Sequence, residues 1–188
     1  MMTIRIALNE EQMQWCMQHA KKTYEYRESI RAMYGIGEYS HNTINGALIG
    51  IKCEVASSLF LGEDFEVEDH YDSSPTIDAG DFKVNGHCIE VKGLKNRDWD
   101  RYKRQIPPIQ LDKYVTKNAI VIWATAENHE LPRNIVLLRG WNYSHEIKEK
   151  GQYIKTICHN VWLKDDEHMC DMADLIRVLK NEENEVIE

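Results

Sequence analysis

Hydrophobic and polar positions change period several times along the chain, and each change marks an element. Thr3 to Leu8 alternates weakly and predicts an edge strand. Asn9 reads as an N-cap, with Glu10 and Glu11 in the first turn, where the helix dipole favours acids. Met13, Met17, Ala20 and Tyr24 recur at helical spacing and predict a helix to about Met33. Its second half carries Lys21, Lys22, Arg27 and Arg31 among tyrosines, a pattern that suits a solvated face better than a nucleic-acid contact. Glycines from Tyr34 to His41 predict a loop. A second helix is expected from Asn42 or Thr43 to Leu61-Gly62, with Ile44, Ala47, Leu48, Ile51, Val55 and Leu59 on its apolar face and Glu54 beside it.

The period falls to two on either side of Asn85-Gly86. Asn-Gly is the strongest short hairpin signal, because a type I′ turn needs positive φ at both central residues. Such a turn sets Val84 opposite His87, Lys83 opposite Cys88, Phe82 opposite Ile89 and Asp81 opposite Glu90. One face then holds Phe82, Val84, Ile89 and Val91. The other holds Asp81, Lys83, Cys88, Glu90 and Lys92. Opposed like charges destabilise a strand pair unless one protonates or a cation sits between them.

Downstream, Lys95, Arg97, Trp99, Arg101, Tyr102, Lys103 and Arg104 form the densest basic and aromatic cluster, without clear periodicity, and predict a substrate-contacting loop. Pro107-Pro108 can open a helix over Ile109 to Thr116, which places Gln110 and Tyr114 on one face. Ala119 to Ala126 is continuously apolar and predicts a central strand buried on both faces. Further strands are expected over Asn134 to Arg139 and Tyr153 to Leu163. A helix follows over 170–180 with Met172, Ile176 and Leu179 inward, and then an acidic tail, 181–188.

The 188 residues suit a single domain, and 43% hydrophobic with 29% charged content is ordinary for a globular protein. No apolar run reads as a membrane span, and the N-terminus lacks the basic and apolar regions of a signal peptide. A cytoplasmic protein without membrane contact is expected. A net charge of −8 excludes a basic nucleic-acid coat protein but not a nuclease, whose cations need only cluster locally. Five scattered cysteines argue against a disulfide framework. Cys158, His159, His168 and Cys170 match no common zinc spacing.

The polar hairpin face carries the chemistry. Asp81 and Glu90 are hard oxygen donors, and Mg²⁺ is commonly held by one or two carboxylates plus waters and substrate phosphates. Lys92, one pleat from Glu90, is placed to orient a water or offset phosphate charge. Glu-x-Lys alone is common by chance; the hairpin register, the apolar opposite face and flanking Gly80 and Gly93 give it weight. A salt-bridged, purely structural hairpin is the plain alternative.

Asp81, followed by Glu90-Val91-Lys92, resembles the core motif of the PD-(D/E)XK nuclease superfamily, with Gly80 where that name has Pro. Gln110-x-x-x-Tyr114 is similar to an element that RecB-like members carry downstream of the Lys. The resemblance covers roughly residues 43–125. It implies an α/β fold, a restriction-endonuclease-like mixed sheet of about five strands flanked by helices. It also implies a Mg²⁺- or Mn²⁺-dependent deoxyribonuclease, with endonuclease action favoured. Asp81 and Glu90 would hold the metal, joined by the Val91 carbonyl and by Glu54 from the preceding helix, with Glu38 in reserve and Asp78 ranked below Asp81. Lys92 would activate water, Gln110 would assist, and Tyr114 would face the site or the DNA. A homodimer would suit cutting both strands, although no residue specifies one. A non-catalytic nucleic-acid-binding or assembly module on the same fold is the alternative.

Overall fold

A computed structural model describes residues 2–34, 43–64, 81–99, 104–128, 131–154, 160–163 and 168–185. Glu38, Asp78, Arg101, Tyr102, Lys103, Cys158 and His159 lie outside the described residues. The fold is α/β. A five-stranded mixed sheet, ordered β1-β6-β5-β3-β2, is flanked by helices. Its strands are β1 (Ile4–Ala7), β2 (Phe82–Val84), β3 (His87–Lys95), β5 (Ile120–Asn128) and β6 (Leu131–Tyr143). A smaller sheet, ordered β4-β8-β7, joins β4 (Arg104–Ile106), β7 (Gln152–Ile154) and β8 (Asn160–Leu163).

β1 is an edge strand, antiparallel to β6. Helix α1 (Glu10–Tyr34) starts at a reciprocal cap. Asn9 Oδ1 accepts the Gln12 N–H at 2.8 Å, and Gln12 Oε1 accepts the Asn9 N–H at 2.9 Å. The buried side of α1 is Cys16, Ala20 and Thr23; Met17, expected inward, is 59% exposed. Both sets have helical spacing, and packing against the next helix selects between them. Burial pushes the Cys16 thiol up to about 12, so it is a core group and not a reactive thiolate.

Helix α2 (Ile44–Leu61) is capped by the Thr43 side chain, which accepts the Gly46 N–H, and ends at Gly62 in the left-handed conformation. Among the described residues it alone is long and apolar enough to cross a membrane, with a mean hydropathy of 1.4. That corrects the reading that no run approaches such a length. The apolar content serves the core instead: Ala47, Ile49, Ile51, Cys53, Val55 and Ala56 are buried. They pack in one core with Ile89 and Val91 of β3, Ile120 and Ile122 of β5, and Val136 and Leu138 of β6. Lys52 is fully buried, and its Nζ donates to the Arg133 carbonyl at 2.9 Å.

The sheet's other face carries a second core. Cys88, Val121 and Trp123 meet Leu111 and Tyr114 of α3 (Pro108–Thr116) and Ile147 of α4 (Ser144–Lys150). Helices therefore cover both faces. β5 runs parallel to β3 and is buried from Ile120 to Ala126, as its apolar run predicts. Tyr153 to Leu163 is not one strand; β7 and β8 pair antiparallel in the small sheet. The final helix, α5 (Met172–Glu185), buries Met172, Leu175 and Leu179. Leu175 takes the inward position expected of Ile176, and the helix continues into the segment read as an acidic tail.

Asp171 joins the chain's two ends. Its carboxylate accepts the Met2 N–H at 2.8 Å and the Ala173 N–H at 3.2 Å. These two bonds, the Met2 bond foremost, hold its pKa below the usual carboxylate value. A depressed folded-state pKa contributes stability above the unfolded value, lost as pH falls through the folded one. The expected result is a urea midpoint that falls below about pH 4 more steeply in the wild type than in Asp171→Asn. Parallel pH profiles for the two proteins would remove this role.

Candidate active site on the β2–β3 hairpin

The hairpin forms as its turn dipeptide dictates. Asn85 and Gly86 take φ of 48° and 83°, the two positive values of a type I′ turn. The register is Phe82↔Ile89, Lys83↔Cys88 and Val84↔His87. Asn85 Nδ2 donates to the Leu179 carbonyl at 3.0 Å, tying the turn to α5.

The ladder stops at Phe82, so Asp81 is not a regular partner of Glu90. Its N–H bonds the Ile89 carbonyl at 3.0 Å, and its Oδ2 accepts the Val91 N–H at 2.6 Å. A short, charge-assisted bond of this kind continues the pairing past the strand's end. It sets the Asp81 carboxylate on the edge of β3 at Val91, between the two chemically active positions. Asp81→Asn retains an oxygen to accept that N–H. Asp81→Ala does not, and an unsatisfied N–H costs about 1–3 kcal/mol. The alanine variant should therefore unfold at lower urea than the asparagine variant, while both lose whatever chemistry needs the charge. Equal midpoints would remove the structural half of this claim.

Glu90 and Lys92 project from the face opposite α2, towards α3. Glu90 is only 3% exposed, so this face of the hairpin is covered at that position. Lys92 is half-buried and meets both residues of the Gln-x-x-x-Tyr element. Its Nζ lies 3.5 Å from Gln110 Oε1 and 4.9 Å from the centre of the Tyr114 ring. Helical spacing of four brings Gln110 and Tyr114 to one side, and the β3–α3–β5 connection lays that side over Lys92. The ring and the amide oxygen both favour a cation at that point.

Glu54 is carried by α2. Helix α2 crosses the other face of β3 at Gly93, where a Cβ would lie 3.0 Å from Cys53 Sγ and 3.3 Å from Gly50 Cα. The Glu54 carboxylate folds back along its own helix, with Oε1 3.8 Å from a Cβ built on Gly50, and acts electrostatically on Cys16 of α1.

Of the basic segment, only the two ends fall within the described residues. β3 continues to Lys95, a 3-10 turn covers Asn96–Asp98, and β4 begins at Arg104. Trp99 is a second-core residue, 8% exposed, with the Arg139 guanidinium 5.3 Å from its ring centre. Tyr114 is 3% exposed beneath Lys92. Neither ring offers a free face for a base. Lys95 is half-buried and Arg97 is exposed. Arg139 escaped the sequence reading, and its one signal was a charge interrupting the apolar run Ile135 to Trp141.

Carboxylate oxygens are the donor type that a hard divalent ion takes. Asp81 and Glu90 supply carboxylate oxygens one strand position apart in β3 terms, and Mg²⁺ needs only one or two carboxylates. Among the described residues no group of three His, Cys, Asp or Glu side chains is placed to hold a metal. No protein-family model, curated protein or solved structure matches the chain.

Proposed function

We propose that this chain is a metal-dependent nuclease of the PD-(D/E)XK superfamily that hydrolyses phosphodiester bonds of DNA, acting as an endonuclease in the cytoplasm. The observation that carries the reading is the convergence of Gln110 and Tyr114 on Lys92. Gln110 lies 18 residues from Lys92, and the resemblance implies that Gln110 and Tyr114 face the active site or the DNA.

Asp81 and Glu90 would hold Mg²⁺ or Mn²⁺, with the Val91 carbonyl beside them. When bound, such an ion polarises the phosphoryl oxygen and lowers the pKa of water. The chain's own residues do the rest. The Val91 N–H orients the Asp81 carboxylate. The Lys92 ammonium, steadied by Gln110 and Tyr114, offsets charge developing on the phosphate and orients the attacking water. Burial of Glu90 excludes bulk water from one side of the site.

A second reading, a nucleic-acid-binding module without cleavage, is favoured by one observation: Asp81 Oδ2 already accepts the Val91 N–H. The test is incubation with supercoiled plasmid and linear duplex DNA in Mg²⁺, Mn²⁺ or EDTA. Metal-dependent nicking supports the endonuclease, and end-trimming an exonuclease. If no metal gives cleavage and calorimetry detects no Mn²⁺ binding, the catalytic reading fails.

A further inference from the structure

The helices of the second core stop short of the hairpin's outer strand. Cys88 of β3 is buried in that core with Leu111 and Tyr114 of α3, and Glu90, next on the same side of the strand, is buried too. The register sets Lys83 of β2 directly opposite Cys88. Opposed residues share a sheet face, so Lys83 belongs to the face of Cys88, Glu90 and Lys92, while Ile89 and Val91 point into the first core. Yet Lys83 is exposed. One strand spacing, about 4.8 Å, separates a covered position from an open one.

The covering helix turns a polar side to this step. Asp112 Oδ1 accepts a bond from Lys148 Nζ of α4 at 2.6 Å, which sets the Asp112 side of α3 towards α4. Gln110, exposed, reaches Lys92 from the other side of the helix. β2 ends the strand order of the main sheet, so among the described residues no strand lies beyond it. The result is a shelf floored by β2 at Lys83 and walled by β3 and α3, open to solvent and bordering Glu90 and Lys92.

Lys83 makes no hydrogen bond or ion pair among the described residues. Lys92, by contrast, is engaged by Gln110 and Tyr114, and Arg97 lies 3.5 Å from Asp98. Glu90 is the diagonal neighbour of Lys83 across the ladder, two residues past Cys88. Such neighbours stand about 7–8 Å apart, within reach of a long side chain. Asp81 precedes Lys83 by two residues. Two carboxylates on one face repel a phosphate backbone, and a cation on the open shelf beside them offsets that repulsion.

We propose that Lys83 is a substrate-binding residue, its ammonium pairing with a phosphate of the duplex DNA backbone beside the one presented to Asp81, Glu90 and Lys92; this rests on the nuclease reading. Lysine suits the task as a compact point charge for phosphate. The ion pair is the same in the ground state and the transition state, so it contributes to binding and not to turnover.

The test is binding of the full chain to a short duplex, read by fluorescence anisotropy in EDTA as a function of NaCl, together with KM and kcat for plasmid cleavage in Mg²⁺. Each phosphate contact contributes about 0.9 to the slope of log K against log salt. Lys83→Ala should lower the slope by about that amount and weaken binding about 5–10-fold near roughly 0.1 M NaCl. Its KM should rise by a similar factor with kcat unchanged. Lys83→Arg, which keeps the charge, should retain the wild-type slope. Lys180→Ala removes an exposed lysine from α5, a helix of the first core, and makes the same change in net charge. It should leave slope and KM as they are. These variants should fold, because neither lysine has a hydrogen-bonding or ion-pair partner among the described residues. A wild-type slope or a wild-type KM in Lys83→Ala overturns the proposal, as does an equal loss in Lys180→Ala. Self-association of Lys83→Ala on gel filtration with its slope intact also overturns it, in favour of a lysine that guards an exposed strand edge. Protein that cleaves plasmid with no dependence on Lys83 overturns this role alone. Protein that neither cleaves nor binds DNA overturns the nuclease reading with it.

Discussion

On the proposed nuclease reading, Lys92→Ala should slow metal-dependent cleavage of both plasmid and linear duplex by about 100-fold or more, the usual consequence of deleting one group aimed at developing charge. The residue is half-buried, and its Nζ lies 3.5 Å from the Gln110 amide oxygen and 4.9 Å from the centre of the Tyr114 ring. Neither is worth much to stability at a partly solvated position. The variant should keep its fold and melt close to the wild type. That separation of activity from stability is what distinguishes a reacting group from a structural one. Gln110→Ala should lose less, because the Tyr114 ring still constrains the ammonium. Measured turnover in Lys92→Ala equal to the wild type would sink the assigned role, whatever the metal dependence of the wild type.

Trp123→Ala should be the most destabilising single change, by about 3–5 kcal/mol. Trp123 is fully buried at the centre of the second core. Its Nε1 donates to Asn142 Oδ1 at 2.9 Å, and Asn142 in turn donates to the His168 carbonyl. Alanine leaves a cavity and an unsatisfied buried oxygen at once. Trp123 also lies beside Lys92 across the β3–β5 ladder, so the cavity opens next to the candidate site. Thermal unfolding should show a fall in Tm of roughly 10 °C. A Tm within a degree or two of the wild type would mean that the second core collapses onto the gap and is not the rigid platform described.

Much of the hairpin was legible because its signals are local. Asn85-Gly86 forces the turn, and period two then assigns the faces without further information. The caps at Asn9 and Thr43 and the helix opening at Pro108 are local too. The buried β5 was readable from composition alone. Asp81 shows where local reading ends. Its register to Glu90 followed from the turn, yet the ladder stops at Phe82 and the side chain replaces the missing backbone partner.

Other positions depended on competition between equivalent choices. Met17 and Cys16 both lie on plausible helical stripes, and only the position of α2 decides that Cys16 is inward. Glu54 sits beside a buried face in any helical wheel, but which side of the sheet receives that face is a question of layer order. Trp99 reads as a substrate-contacting aromatic because basic residues surround it in sequence, and Tyr114 is expected to face the site or the DNA only from the resemblance. In space, Arg139 and Lys92 lie over them and the second core takes the rings.

From the sequence by itself came the element types, the hairpin register, the faces of β2 and β3, and the placing of Asp81, Glu90 and Lys92 on one face of the hairpin. All of these follow from turn chemistry and from the periods of strand and helix, which act within a few residues. The tertiary structure alone decided that α2 and α3 lie on opposite faces of β3, and that a bulge brings Arg139 to Asn96 and Trp99. Those outcomes depend on which surfaces bury one another, and burial is settled by the whole chain at once.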